Sequence, residues 1–300
     1  MLFKLWKISK LAFVLVVGIL SLNDVASAQL VPDGTLGSER STVTEDTIRG
    51  TPSDRISGGA ARGRNLFHSF GEFNVETGRG AYFNNPAGVE NIFSRVTGGN
   101  PSQIDGRLGV IQAGSIDVLG NANLFLINPN GIVFGQNSSL DVGGSFVGTT
   151  ANAIEFGEEG FFSTSGAEVP QGLLIVNPSA FLFSQVNAAP IQSTSATPGI
   201  EVPTTTLQVP IGRSLVLLGG DVFLNAINIF APGGRVELGG LRGAGAIALT
   251  QVDNALQLEF PNQVARADVL ITNRARINVV SSGGGGIAIN ARNVEISRNS

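Results

Sequence analysis

The feature that most constrains this chain is a recurrence of short β-prone runs, each ended by Gly or Asn and followed by another run. Leu215-Val216-Leu217-Leu218-Gly219-Gly220 aligns with Arg235-Val236-Glu237-Leu238-Gly239-Gly240 at a displacement of 20, with Val216 on Val236, Leu218 on Leu238 and both glycine pairs coincident. Val269-Leu270-Ile271, Ile277-Asn278-Val279, Ile287-Ala288-Ile289 and Val294-Glu295-Ile296 continue the pattern at similar short intervals, two runs to a coil. No long stretch combines apolar residues at i, i+3, i+4 and i+7 with freedom from Gly and Pro, so helical folds are excluded. A coil of this size cannot bury its apolar row alone. Stacked coils share one core, each backbone pairing with the coils above and below at about 4.8 Å, and the pattern therefore predicts an all-β parallel solenoid.

A second repeat is longer. Leu124-Phe125-Leu126-Ile127-Asn128-Pro129-Asn130-Gly131-Ile132-Val133-Phe134 aligns without gaps on Leu173-Leu174-Ile175-Val176-Asn177-Pro178-Ser179-Ala180-Phe181-Leu182-Phe183, displaced by 49. Period-two alternation places Leu124, Leu126, Ile132 and Phe134 inside one coil, and Val216, Leu218, Val236 and Leu238 inside later ones. Asn121, Asn123, Asn128, Asn177, Asn225, Asn273 and Asn290 fall at corners, where the amide can bond the next coil.

Lys4, Lys7 and Lys10 precede the apolar run Leu11 to Leu20, and Ala26-Ser27-Ala28 supplies a small-x-small cleavage site. These describe a secretory signal peptide over 1–28, too short in its apolar part to span a bilayer. The mature chain begins at Gln29, and in it 16 Arg face 22 acids, a side-chain charge of −6. Without a basic stripe it is a poor match for nucleic acid or anionic lipid. About 20 residues per coil sets a ceiling of about 13 coils and a rod about 60 Å long. Residues 29–185 hold the irregular, Phe-rich part, 186–206 contain a polar loop or protrusion, and 207–300 read as more regular coils. The run ending at Ile296 has no obvious cap, so the later coils are expected to fray or associate while 29–185 resists protease.

Chemistry-bearing residues are sparse. Cysteine is absent, which removes disulfides, thiol catalysis and Cys-based zinc sites. The single His, His68, has no partner for a His-based metal pair and reads as structural. The adjacent acids Glu45-Asp46 and Glu158-Glu159 read as solvated loops. Gly243-x-Gly245-x-x-Ala248 imitates a dinucleotide fingerprint, but Ile247 to Val252 reads as strand where that motif needs a helix. Gly283 to Gly286 lacks the Asp of a calcium-binding repeat and reads as a corner. Beyond the signal segment one Tyr and no Trp remain, too few for the aromatic girdles of an outer-membrane barrel.

Asn65-Leu66-Phe67-His68-Ser69-Phe70, Phe73-Asn74-Val75, Ser94-Arg95-Val96-Thr97-Gly98-Gly99, Pro101-Ser102-Gln103-Ile104-Asp105-Gly106, Ala122-Asn123-Leu124-Phe125-Leu126, Asn128-Pro129-Asn130-Gly131-Ile132 and Gly144-Ser145-Phe146 occur in this order. With this ordered set the chain resembles the secretion domain of filamentous-haemagglutinin-type exoproteins, the exported partner in two-partner secretion, most strongly over 30–165. The resemblance implies a right-handed parallel β-helix with an N-terminal β cap and small extra-helical sheets. It also implies a non-enzymatic, adhesion-related exoprotein with no cofactor or metal. Such a protein reaches the cell surface or medium through the periplasm, by way of an outer-membrane transporter with POTRA modules. Its eventual target would be a host or neighbouring-cell surface or a polysaccharide. Asn128, Pro129, Asn130, Gly131 and Ile132 become the turn or transporter-recognition motif. The family's second motif, NPNL, has no clear match; Asn85-Pro86-Ala87-Gly88 is nearest. Pro129 starts a turn, and Asn130 and Gly131 are suited to the positive φ that closes it, unlike Ser179 and Ala180. The alternative that the residues leave open is a β-helical polysaccharide lyase or hydrolase.

Amino-terminal sequencing of the exported protein is expected to read from Gln29. A reading from Met1 or Leu2 contradicts the signal assignment.

Overall fold

The computed structural model describes residues 30–165, 175–194, 205–252 and 254–297. The signal segment, Leu173 and Leu174 lie outside the described residues, as do residues 195–204 of the expected loop. The backbone winds through three parallel sheets in fixed order, so each coil contributes one strand to each face. The first face runs Asn65–Phe73, Asn91–Val96, Asn123–Ile127, Phe146–Thr149, Ser214–Gly219, Arg235–Gly240 and Gly286–Asn290. The second runs Ser102–Ile104, Ile132–Phe134, Ile191–Ser193, Val222–Asn225, Val269–Thr272 and Val294–Ser297. The third follows a hairpin, Ser41–Ile48 with Thr51–Gly58, through Gly80–Asn85, Arg107–Gln112, Ser139–Asp141, Thr205–Gln208, Ile227–Phe230 and Arg276–Asn278. This is a parallel β-helix.

Its start is closed by antiparallel strands. Leu30–Pro32 and Ala60–Arg62 both pair with Asn65–Phe73, and the 41–58 hairpin crowns the third face. Seven parallel rungs are described on the first face, below the 13-coil ceiling. The cap takes the first part of the chain. Two excursions, between Thr149 and Ile191 and between Gly240 and Val269, leave the helix to build a separate antiparallel sheet. Its strands lie in the order Phe161–Ser163, Ala153–Glu155, Ala180–Phe183, Gly245–Val252, Ala255–Glu259.

That extra sheet explains two expectations the structure overturns. Leu215, not Val216, pairs with Val236, a displacement of 21 rather than 20. Leu215, Leu217, Val236 and Leu238 face the lumen with Leu124, Leu126, Ile132 and Phe134. Val216 and Leu218 face the other way, into a second apolar cluster under the extra sheet. The first face is buried on both sides, so its strands read as continuous apolar runs and alternation loses its meaning. The 49-residue repeat is likewise not a repeated corner. Ala180–Phe183 lies antiparallel to Ala153–Glu155 in the extra sheet. Within the expected loop 186–206, Ile191–Ser193 is a strand of the second face.

The outward row of the first face carries two ladders. Phe67, Phe93 and Phe125 are register partners, with ring centroids 5.2 and 4.6 Å apart, and Phe156 and Phe162 cover them edge-on. Two residues earlier, Asn91 Nδ2 donates to Asn65 Oδ1 (3.0 Å) and Asn123 Nδ2 to Asn91 Oδ1 (2.9 Å). The ladder continues through Ser145 N to Asn123 Oδ1 and Ser214 N to Ser145 Oγ, both 2.9 Å. Asn273 and Asn225 make a similar rung at 2.6 Å, whereas Asn121 and Asn177 are exposed.

Replacing Asn91 with Ala deprives Asn65 of a donor and Asn123 of an acceptor, both buried. The expected loss is about 2–4 kcal/mol, against about 0.5 kcal/mol or less for Asn121→Ala, read by urea denaturation. Equal losses would contradict the ladder.

Candidate functional site

The corner from Asn128 to Ile132 joins the first face to the second. Asn128, fully buried, holds it: its backbone N–H donates to Thr149 O (3.0 Å) in the next coil, and its Nδ2 donates to Asn100 O and Ser102 Oγ (both 3.0 Å) in the preceding one. Asn128 Oδ1 accepts from the backbone N–H and the Nδ2 of Asn130 at 3.0 and 3.2 Å. Gly131 N donates to Asn128 O (3.1 Å) and closes the turn.

Of the two residues suited to positive φ, only Gly131 takes it, at 120°. Asn130 instead uses its amide to reach back to Gly98 O at 2.7 Å. A Cβ on Gly131 would stand 3.2 Å from Pro190 O and 3.4 Å from Pro101 Cβ, and one on Gly98 only 2.0 Å from Gly71 O. Successive corners therefore nest backbone against backbone. Ile132 points into the lumen between Ser102 and Ile191. Only Pro129 and Asn130 are partly open to solvent. The segment from Asn177 to Ala180 has no positive φ among its residues, so the two turns do differ in shape.

Arg95 lies within the Ser94 to Gly99 motif, and nothing in the sequence around it discloses what it does. It is essentially inaccessible, projecting outward beside Phe93 at the edge of the extra sheet. Its Nε donates to Ser69 Oγ (2.9 Å), one terminal nitrogen to Ser163 O (2.8 Å) and the other to Thr35 Oγ1 (2.9 Å), while the guanidinium lies 4.3 Å from the Phe162 ring centroid. Asp33 completes the network by accepting from Thr35, Ser69 and Thr97 hydroxyls at 2.5, 2.8 and 2.6 Å. Burial opposes the charge on Asp33, and these hydrogen bonds outweigh it, leaving the carboxyl below its ordinary range. Burial also lowers Arg95 to about 10, partly offset by Asp33, so it stays charged at neutral pH. One cation thus ties the cap, the first coils and the extra sheet together. Its partners lie 26 to 68 residues away in sequence, which no local motif reveals.

The remaining candidates are dispersed. His68 is sealed in the lumen between Phe70 and Phe83, its Nδ1 3.0 Å from Ser41 Oγ and its Nε2 without a partner among the described residues. Burial lowers its pKa to about 3. Glu45 and Asp46 lie in a cap strand rather than a loop, because Asp46 pairs with Arg55 across the hairpin at 2.7 Å. Glu158 and Glu159 sit in a short 3-10 turn. Gly245 and Ala248 lie in a strand, which excludes the dinucleotide reading. Gly284 turns with φ 77°. Among the described residues, no group of three or more His, Cys, Asp or Glu could hold a metal ion.

The fold and this corner together define a capped parallel β-helical domain whose successive coils are stitched together at their turns. The model of the TPS secretion domain family matches residues 28–290, and the chain belongs to that family, the secretion domain of two-partner exoproteins. The crystal structure of the HMW1 secretion domain from Haemophilus influenzae superposes with a TM-score of 0.50 at 20% identity, over 86% of this chain and 63% of that one. The heme/hemopexin-binding protein of Haemophilus influenzae is 32% identical over 88 residues, which span 29% of this chain and 8% of that protein.

Two outcomes follow from these geometries. Gly131→Ala should cost about 1–3 kcal/mol through backbone strain together with crowding against Pro190 and Pro101, whereas alanine at Gly78 shares the positive φ but meets no neighbouring atom and should cost less; equal costs in thermal unfolding would deny the nested corner. His68 binds a proton at about 6.5 when unfolded and at about 3 when folded. The unfolded state therefore gains protons first, and stability falls as pH drops from 6.5 toward 3. Wild type should lose about 1.5 kcal/mol more than His68→Gln between pH 6.5 and 5, and parallel curves would contradict a sealed imidazole.

Proposed function

We propose that this chain is the secretion-directing part of a two-partner exoprotein, passed through the outer membrane by a dedicated transporter with POTRA modules and folding outside the cell. The observation carrying this reading is that one family match spans both the cap and the later coils of the β-helix. The exoprotein serves adhesion to a host cell, a neighbouring cell or a polysaccharide, and it is not an enzyme. Supporting that last point, the groups with perturbed protonation among the described residues are engaged in separate structural contacts at different places in the fold. His68 is enclosed in the lumen, Asp33 and Arg95 are engaged with hydroxyls, and Asp46 and Asp268 are paired with arginines.

Within this reading Asn128 to Ile132 serves export by shaping the turn. Most of its polar groups are spent on neighbouring coils, leaving little for a partner to read once the domain has folded. Zero cysteine suits a chain that must stay uncrosslinked in the periplasm.

Secretion is measured with and without the transporter for wild type, Pro129→Ser and the exposed control Asn177→Asp. Wild type should reach the medium only with the transporter. Pro129→Ser should lose stability and secreted yield together, and Asn177→Asp should lose neither. Export without the transporter sinks the proposal, and a Pro129→Ser block at unchanged stability would make the corner a contact site instead.

A further inference from the structure

The outward column of the first face reads Phe67, Phe93, Phe125, Val147, Val216, Glu237 and Ala288 through successive register partners. Within it Glu237 is the one charged side chain. It is fully inaccessible, in contact range of the strand Ala255–Glu259 that covers this end of the column. One carboxylate oxygen accepts from Arg235 Nε at 2.5 Å, and the other makes no well-formed hydrogen bond among the described residues. Burial shifts the carboxyl upward, with Arg235 and the Leu258 backbone pulling the other way. A half-satisfied charge is a costly occupant for such a slot, and an apolar residue would fit the column better.

The neighbouring rung offers a reason. Leu215, Val216, Leu217 and Leu218 are apolar at four consecutive positions, so their stacking accepts Arg235–Gly240 in two registers. The observed one is displaced by 21. A displacement of 20 matches Val216 with Val236, Leu218 with Leu238 and both glycine pairs, and is locally the better sequence match. The turn Pro232-Gly233-Gly234, with Gly233 at φ 61°, precedes the strand, and an excursion follows it. One change separates the registers decisively. A one-residue slip flips every side chain, which would drive Glu237 and Arg235 into a lumen lined by Leu215, Leu217, Leu224 and Ile229.

We infer that Glu237 is the register-determining residue of the later β-helix, holding Arg235–Gly240 at a displacement of 21 by excluding the slipped pairing at 20. Arg235 is part-exposed in the outward position and so keeps some contact with water while it pairs with Glu237; a slip would carry both charges into the apolar lumen and desolvate the pair completely.

The chain has no cysteine, so paired cysteines report register directly. Leu215→Cys with Val236→Cys traps the observed register, and Val216→Cys with Val236→Cys traps the slipped one. Both pairs are oxidised in full-length protein carrying Glu237, Glu237→Gln or Glu237→Leu. The yield of the 216–236 disulfide relative to the 215–236 disulfide should rise in the order Glu, Gln, Leu, by about tenfold or more from Glu to Leu. If the leucine variant does not fold, the Glu-to-Gln step alone decides, since the amide removes the charge and keeps the shape. The same ratio in every background that folds would overturn the inference and assign the register to the glycine corners.

Discussion

The structure depends on one sheet being buried on both sides. The first face of the β-helix must place one row of side chains in the lumen and the alternate row beneath the antiparallel extra sheet. Along Asn91–Val96, Asn123–Ile127, Phe146–Thr149 and Ser214–Gly219 neither row sees water, so every polar group there needs an internal partner. The asparagine ladder, the Ser145 and Ser214 hydroxyls and the Arg95 network all answer that requirement. The phenylalanine column fills the space between them, and stacked offset rings contribute beyond their buried area.

The cap and the corners follow from the same constraint. A solenoid leaves an open edge at its first coil unless something covers it. Here Leu30–Pro32, Ala60–Arg62 and the 41–58 hairpin cover it, and Arg95 binds that cap to the extra sheet through Thr35 and Ser163. Corners nest so closely that Gly98 meets the Gly71 carbonyl without room for a Cβ. The motif glycines and asparagines are thus accounted for by contact between coils.

Much of this was legible from the chain itself. Repeated β-prone runs pointed to a solenoid, and Leu124, Leu126, Ile132 and Phe134 were placed inward correctly. Val216 and Leu218 were turned the wrong way because a strand apolar at every position carries no alternation to read. The 49-residue match failed for a related reason. Apolar run, Asn-Pro, apolar run describes a strand, a turn and a strand, and says nothing of which sheet receives the second strand. Asn130 was assigned a backbone role and plays a side-chain one, since its acceptor, Gly98 O, belongs to another coil. Arg95 stands within the Ser94 to Gly99 motif, yet its partners Thr35 and Ser163 are brought near only by the folded chain.

The doubly buried first face forms one continuous spine, from the coils beside the cap through those beyond the first excursion. Phe146–Thr149 pairs directly with Ser214–Gly219 although the whole first excursion and a further coil's strands lie between them in sequence. Amide hydrogen exchange read by mass spectrometry tests this most directly. Asn91–Val96, Asn123–Ile127, Phe146–Thr149 and Ser214–Gly219 should exchange together, only through global unfolding. Release of Ser214–Gly219 in a separate, earlier step from Asn123–Ile127 would contradict it, dividing the helix into two units at the excursion.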